Sequence, residues 1–141
     1  MRFRHSDWDV AMPAALVAYL EAWNELDLEL LRGLLVRAVC EEVEWNDPRD
    51  SFVGIGELES AMRRLKTSKP EYEFRIASEI DSHNGRYRYR WDMSRRGRTL
   101  MEGLDVTTID PSTGLITRVD GFFGHPTPIL DSGSGVPPHL R

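Results

Sequence analysis

One cysteine, Cys40, stands among 141 residues, so no internal disulfide can brace this chain. A lone cysteine fits a reducing compartment, and its simplest reading is a small buried residue. No apolar run approaches the ~20 residues that cross a bilayer. The first residues, Met1-Arg2-Phe3-Arg4-His5-Ser6, have no apolar stretch behind their charges, so no secretory signal is expected. The expectation is a cytoplasmic protein with no membrane partner. Positive charge is in deficit, with 18 Lys and Arg against 23 Asp and Glu and a net charge of −5. That excludes nucleic acid as a general partner, because phosphate binding needs a basic footprint. Histidine is scarce: His5, His125 and His139 fall in terminal segments and His83 in a turn, so no His or Cys grouping has metal-ligand spacing. A phosphate-cradling glycine loop and a Ser-His-Asp arrangement are both missing. No cofactor and no metal are expected.

What remains is enough for one domain. Hydrophobic residues make up 40% of the chain, an ordinary share for a globular protein with a sizeable core. Ser6 and Asp9 form a capping box ahead of Val10, Pro13, Ala14, Leu16, Val17, Leu20 and Trp23, whose spacing predicts a helix with one apolar face. Asp27 caps a second helix carrying Leu28, Leu31, Leu34 and Leu35. Val43, Trp45 and Asp47 alternate with Glu44 and Asn46 as a short strand. Pro48 to Gly56 reads as a loop, and Glu57 to Lys66 as a short third helix ended before Pro70. From Tyr72 the period becomes two. Tyr72, Phe74 and Ile76 alternate with charged residues, and Asn84-Gly85 marks a hairpin. Tyr87, Tyr89, Trp91 and Met93 follow, then strands over Thr99–Ile109 and Leu115–Phe123 with turns between them. The prediction is an α+β domain over residues 1–124. Its helices pack on one face of a curved, four-stranded antiparallel sheet and leave an internal cavity. The Pro-, Gly- and Ser-rich residues 125–141 are expected to be a mobile tail.

Parity along the strands selects the residues of that cavity. If Asp47 faces inward, so do Val43 and Trp45; if Asp105 faces inward, so do Met101, Gly103 and Thr107. Tyr19 lies on the apolar face of the first helix. A carboxylate in an apolar cup is costly unless it is hydrogen-bonded, paired or neutralised, so shifted titration is expected there. A phenol and two carboxyl groups in such a cup can move a proton beside a carbonyl. Trp23, Trp45, Tyr89, Trp91, Met93, Met101 and Phe123 are expected to line the cup and bind a hydrophobic small molecule. Each polar residue also has a structural reading: Asp47 as a turn residue bonding local backbone, Asp105 as a buried acid bonded to Tyr19 or Trp23, Tyr19 as a packing residue.

Several segments together resemble the nuclear transport factor 2-like superfamily, and within it the SnoaL-like and ketosteroid isomerase-like branch. Tyr19-Leu20-Glu21-Ala22-Trp23-Asn24-Glu25-Leu26-Asp27-Leu28 is similar to that branch's first helix and the entry to its second. Trp45-Asn46-Asp47-Pro48 is similar to its short-strand motif, and Gly54 to Leu58 to the start of its third helix. Gly103-Leu104-Asp105-Val106 and the run from Gly114 to Gly124 resemble its last two strands. The resemblance covers about residues 10 to 124. It implies a cystatin-like cone, with Asp47 as catalytic base and with Tyr19 and a neutral Asp105 as hydrogen-bond donors. The implied activity is that of a cofactor-independent isomerase, or of a polyketide cyclase-like lyase acting on a polycyclic substrate.

Other readings compete with it. The same cup could bind a ligand without turnover, or could be filled by Trp23 and Trp91 in an interaction module. Arg90-Trp91-Asp92 resembles an element of limonene epoxide hydrolases, but the further aspartate that chemistry needs falls on Gly121, and Asp120 faces outward. Arg88, Arg90, Arg95, Arg96 and Arg98 read either as an anion or nucleic-acid patch or as a solvated face paired with acids. Leu104, Val106 and Phe122 share the outer face with Arg90, which predicts a homodimer through that face.

Overall fold

The computed structural model describes residues 2–5 and 8–129, with side chains described from Met12 onward. Strands β1 (Arg2–His5) and β2 (Trp8–Ala11) pair as a two-stranded ribbon. The first helix, α1, spans Ala14–Asn24 and starts later than expected. Its N-cap is Pro13, and a proline ring blocks helical backbone before it by clashing with the preceding residues. Asp9 is therefore in a strand, and Ser6, its expected capping partner, lies outside the described residues. So does the expected tail from residue 130 onward.

Helix α2 covers Leu28–Ala38, and Asp27 caps it as predicted, its carboxylate accepting from the Glu29 amide at 3.0 Å. The chain then runs straight into β3 (Val39–Asn46), longer than the sequence suggested. The alternation is hidden by a bulge between Val39 and Glu44, which lets Glu41 and Glu42 both face solvent. The expected loop after Pro48 contains β4 (Ser51–Val53), paired antiparallel with β3. Gly54, with φ +112°, turns the chain into α3 (Ile55–Ser68), which has 14 residues where a shorter helix was expected. Strands β5 (Tyr72–Ile76), β6 (Asp81–His83), β7 (Arg86–Arg95), β8 (Arg98–Ile109) and β9 (Ile116–Phe123) follow. The β6–β7 hairpin turns at Asn84 and Gly85, both at positive φ, as the Asn-Gly pair predicted.

The main sheet has seven strands in the order β4-β3-β9-β8-β7-β5, with β6 also on β7. It is mixed, because β3 runs parallel to β9. The purely antiparallel expectation missed this pairing, which joins segments about 75 residues apart and leaves no local turn signal. Bulges on three strand pairs bend the sheet, and its edges stay open. Leu16, Leu31, Leu35, Leu58, Met62, Ile116 and Val119 seal the core between helices and sheet. No described helix is long and apolar enough to cross a membrane.

The arginine-rich strands are largely paired with acids. Arg88 meets Asp81, Arg95 and Arg96 share Glu71, and Arg118 meets Glu44 and Asp120. Such exposed pairs contribute about 0–1 kcal/mol each.

Candidate functional site

A cavity of about 660 Å³ opens between α1, α3 and the inner face of the sheet. All ten residues picked out by parity and resemblance border it: Tyr19, Asp47, Asp105, Trp23, Trp45, Tyr89, Trp91, Met93, Met101 and Phe123. The cup is not filled by Trp23 and Trp91. Its wall is a chain of touching rings, Trp45 on Trp23, Trp23 on Phe74, Phe74 on Trp91 and Trp91 on Phe123, with centroids 5.2–6.2 Å apart. Phe52 backs Trp45 in a near-parallel stack at 5.1 Å.

Helix α1 presents Tyr19 and Trp23 one turn apart to this space. Tyr19 is 1% exposed, and its hydroxyl accepts from the Trp45 indole N–H at 3.0 Å. Among the described residues nothing accepts its own proton, which remains available to a ligand. Burial first, and then the nearby Asp105 charge, hold that proton well above the usual phenol range. The Asn24 side chain fastens the end of α1 to β5, donating to the Phe74 carbonyl at 2.7 Å and accepting from its amide at 2.8 Å.

Asp47 follows β3 directly. Its Oδ1 accepts from the Arg49 and Asp50 amides, both at 2.8 Å, which fixes the carboxyl in an Asx turn. Its Oδ2 accepts no hydrogen bond from a described residue. The turn reading of Asp47 thus holds for one oxygen, while the residue still borders the cavity.

Asp105 sits mid-strand on β8. Its Oδ1 accepts from the Trp91 indole N–H at 2.9 Å, and its Oδ2 lies 3.5 Å from the Tyr89 hydroxyl. Tyr89 also shares a 3.0 Å hydrogen bond with Thr107. The expected partners Tyr19 and Trp23 are thus replaced by Tyr89 and Trp91, which stand on the neighbouring strand. Desolvation raises the Asp105 pKa to about 7, with help from the charges of Asp47 and Asp120, against the opposing bonds from Trp91 and Tyr89.

Glycine lets the two acids approach. Gly121 pairs across the ladder with Asp105, and a Cβ there would lie 2.9 Å from Asp105 Oδ1 and 3.5 Å from the Asp47 Cβ. A side chain at 121 would push the Asp105 carboxyl aside, while its contact with Asp47 would be an ordinary one. In the sequence Gly121 stands out only as a missing aspartate, because its lack of a side chain matters only across the strand ladder. Lining residues outside the expected set include Phe74, whose inward parity with Tyr72 and Ile76 is a usable signal, and Arg49, whose guanidinium lies 5.7 Å from the Phe123 ring centre.

Arg90 and Asp92 do not border the cavity. Asp92 is held on β7 by the Arg75 guanidinium at 2.8 and 3.0 Å. No group of His, Cys, Asp and Glu among the described residues could hold a metal ion.

No family model matches this sequence, and no curated protein matches it. Solved structures do. A SnoaL-like family protein from Agrobacterium tumefaciens strain C58, proposed to be an isomerase, is 29% identical with a TM-score of 0.72, over 79% of this chain and 95% of its own. A proposed polyketide cyclase from Sinorhizobium meliloti is 17% identical with a TM-score of 0.63, over 78% of this chain and 94% of its own. An LEH-like epoxide hydrolase from M. tuberculosis is 14% identical with a TM-score of 0.58, over 79% of this chain and 81% of its own. The last two share the fold with this chain.

Proposed function

The chain belongs to the SnoaL-like branch of the nuclear transport factor 2-like superfamily, and on that premise we propose that it is a cofactor-independent isomerase or lyase. Its substrate is a hydrophobic, polycyclic or polyketide-like ketone. Asp47 Oδ2 removes a proton from the carbon beside the carbonyl, and the electron pair of that C–H bond moves onto the carbonyl oxygen. The Tyr19 hydroxyl and the protonated Asp105 carboxyl donate hydrogen bonds to the enolate oxygen as its charge develops. An isomerase returns the proton to a different carbon; in a cyclase the enolate carbon attacks a second carbonyl, whose π electrons move to its oxygen, and that oxygen takes the proton held by Asp47. The Asx turn orients Asp47.

One observation supports this reading above the others. Three polar groups border one aromatic-walled cavity whose lining also includes Glu21, Arg49, Asp50, Arg64 and Arg75: Tyr19, whose proton has no acceptor among the described residues, Asp47, whose Oδ2 has no donor there, and Asp105, whose Oδ2 has only the 3.5 Å contact from Tyr89. The test is deuterium uptake from heavy water into 2-tetralone, a bicyclic ketone that the cavity can accommodate. Exchange beside the carbonyl should run faster with the protein than in buffer. Binding without acceleration would leave a ligand carrier, the second reading, which the two amide bonds on Asp47 Oδ1 favour as a structural role. Epoxide hydrolysis ranks lower, because Gly121 supplies no carboxylate and Asp92 faces Arg75.

The same reading includes a homodimer through the outer sheet face. Phe122 is 58% exposed there, beside its cross-strand partner Leu104, with Val106 farther along β8. Sedimentation at high micromolar concentration should give a dimer, and Phe122→Asp should give a monomer. A native monomer at that concentration would contradict the proposal.

A further inference from the structure

Two cross-strand pairs meet at Asp105. Gly121 on β9 lies opposite Asp105, and Gly103 on β8 lies opposite Trp91 on β7. At Gly103 the vacancy is filled by an indole. A Cβ there would fall 2.2 Å from Trp91 Cζ2, 2.5 Å from its Cε2 and 2.5 Å from the Phe122 carbonyl oxygen. Only glycine lets the Trp91 ring lie down across β8. In that pose its N–H reaches along the strand to Asp105 Oδ1 at 2.9 Å. Phe123 braces the ring edge-on from β9, at 6.1 Å and 88°.

The two Asp105 oxygens are therefore unlike. Oδ1 receives a well-formed N–H bond, and an oxygen accepting along that direction does not carry the acid proton there. Oδ2 has only a long contact from Tyr89, whose hydroxyl is nearer to Thr107.

We propose that Trp91, laid across Gly103, is a positioning residue that fixes the Asp105 carboxyl through Oδ1 and places its proton on Oδ2. This rests on the reading of Asp105 as a hydrogen-bond donor to the substrate oxygen. Trp91 itself lines the cavity, but its role here is exerted through Asp105. The other groups that face this carboxyl are Tyr19 from α1, Asp47 from the end of β3, Tyr89 and Thr107 from β7 and β8, and Asp120 from β9. A change confined to the indole leaves all of them in place.

The experiment uses the full chain without substrate. Carboxyl-carbon NMR follows Asp105, and the indole N–H resonance follows Trp91, through the same pH series. In the native protein both should move with one midpoint, because the indole donates to a carboxylate above it and to a neutral acid below it. In Trp91→Phe the ring volume is largely kept and the donor is lost. The Asp105 midpoint should then rise by about one to two pH units, a ten- to hundredfold weaker acid. A role in packing alone would lower stability without moving the midpoint. An unmoved Asp105 midpoint in folded Trp91→Phe overturns the proposal. If that variant does not fold, a native indole resonance that stays flat through the Asp105 midpoint overturns it equally. Neither readout involves a ketone, so failure of turnover and failure of this inference are separately visible.

Discussion

Asp47→Asn should abolish most of the protein's acceleration of deuterium exchange into 2-tetralone while leaving ligand affinity nearly unchanged. The substitution keeps the size of the side chain, and the asparagine oxygen still accepts the Arg49 and Asp50 amides that form the turn. Local backbone and cavity wall therefore survive. What disappears is a basic oxygen at Oδ2, the position with no partner among the described residues. General-base catalysis contributes roughly 10²–10⁴-fold, so the loss should fall in that range. Competition by 2-naphthol, a planar relative of the enol, measures affinity independently. A variant that binds naphthol normally and exchanges as fast as the native protein would move the base to another residue. A variant that loses both would indicate a disturbed turn, which circular dichroism and thermal unfolding would report.

The second large effect lies in the dependence of stability on pH. In the unfolded chain Asp105 ionises near the ordinary aspartate value of 3.8, whereas in the folded protein desolvation holds its proton to about 7. Between those values the folded state binds a proton that the unfolded state has released. The contribution of this residue is fully present below pH 4 and is lost as pH rises through 7, after which it stays flat. Asp105→Asn does not ionise, and its amide oxygen can still accept from Trp91. The variant should match the native protein near pH 4 and exceed it at pH 8 by on the order of 2–4 kcal/mol. Glu59, Glu71 and Asp110 have lowered pKa values and act in the opposite sense, favouring the fold above the acid range. They are common to both proteins and cancel in the difference. Urea unfolding of the pair at pH 4.5 and pH 8 measures it. A constant difference across that range would show that Asp105 titrates in the folded protein as an ordinary aspartate.

The inward residues of the cavity were legible because strand parity is a strict rule. Once Trp45 and Asp47 share a face, one rotation of the chain decides the rest, and Tyr89, Trp91 and Met93 follow with the same period. Helix α2 was legible from Asp27, whose capping bond is local. Helix α1 begins after Pro13 and not at the capping pattern of Ser6 and Asp9, because a proline disfavours helix before it more strongly than a cap favours it. The parallel β3–β9 pairing was invisible for a different reason. It depends on long-range packing of Val39, Val43 and Trp45 against Ile116 and Val119, and the bulge in β3 breaks the alternation that would have announced it. The partners of Asp105 were also missed. Choosing Trp91 over Trp23 requires the cross-strand register and the empty place at Gly103, and neither is written in local sequence.

In the proposed reaction Tyr19, Asp47 and Asp105 act together on one carbonyl-bearing substrate. A crystal structure with 2-naphthol bound tests it most directly. The naphthol oxygen should lie within hydrogen-bond distance, about 2.5–3.2 Å, of both the Tyr19 hydroxyl and the Asp105 carboxyl, with Asp47 Oδ2 beside the adjacent ring carbon. A naphthol bound in the cavity with its oxygen turned to the mouth, away from Tyr19 and Asp105, would contradict it.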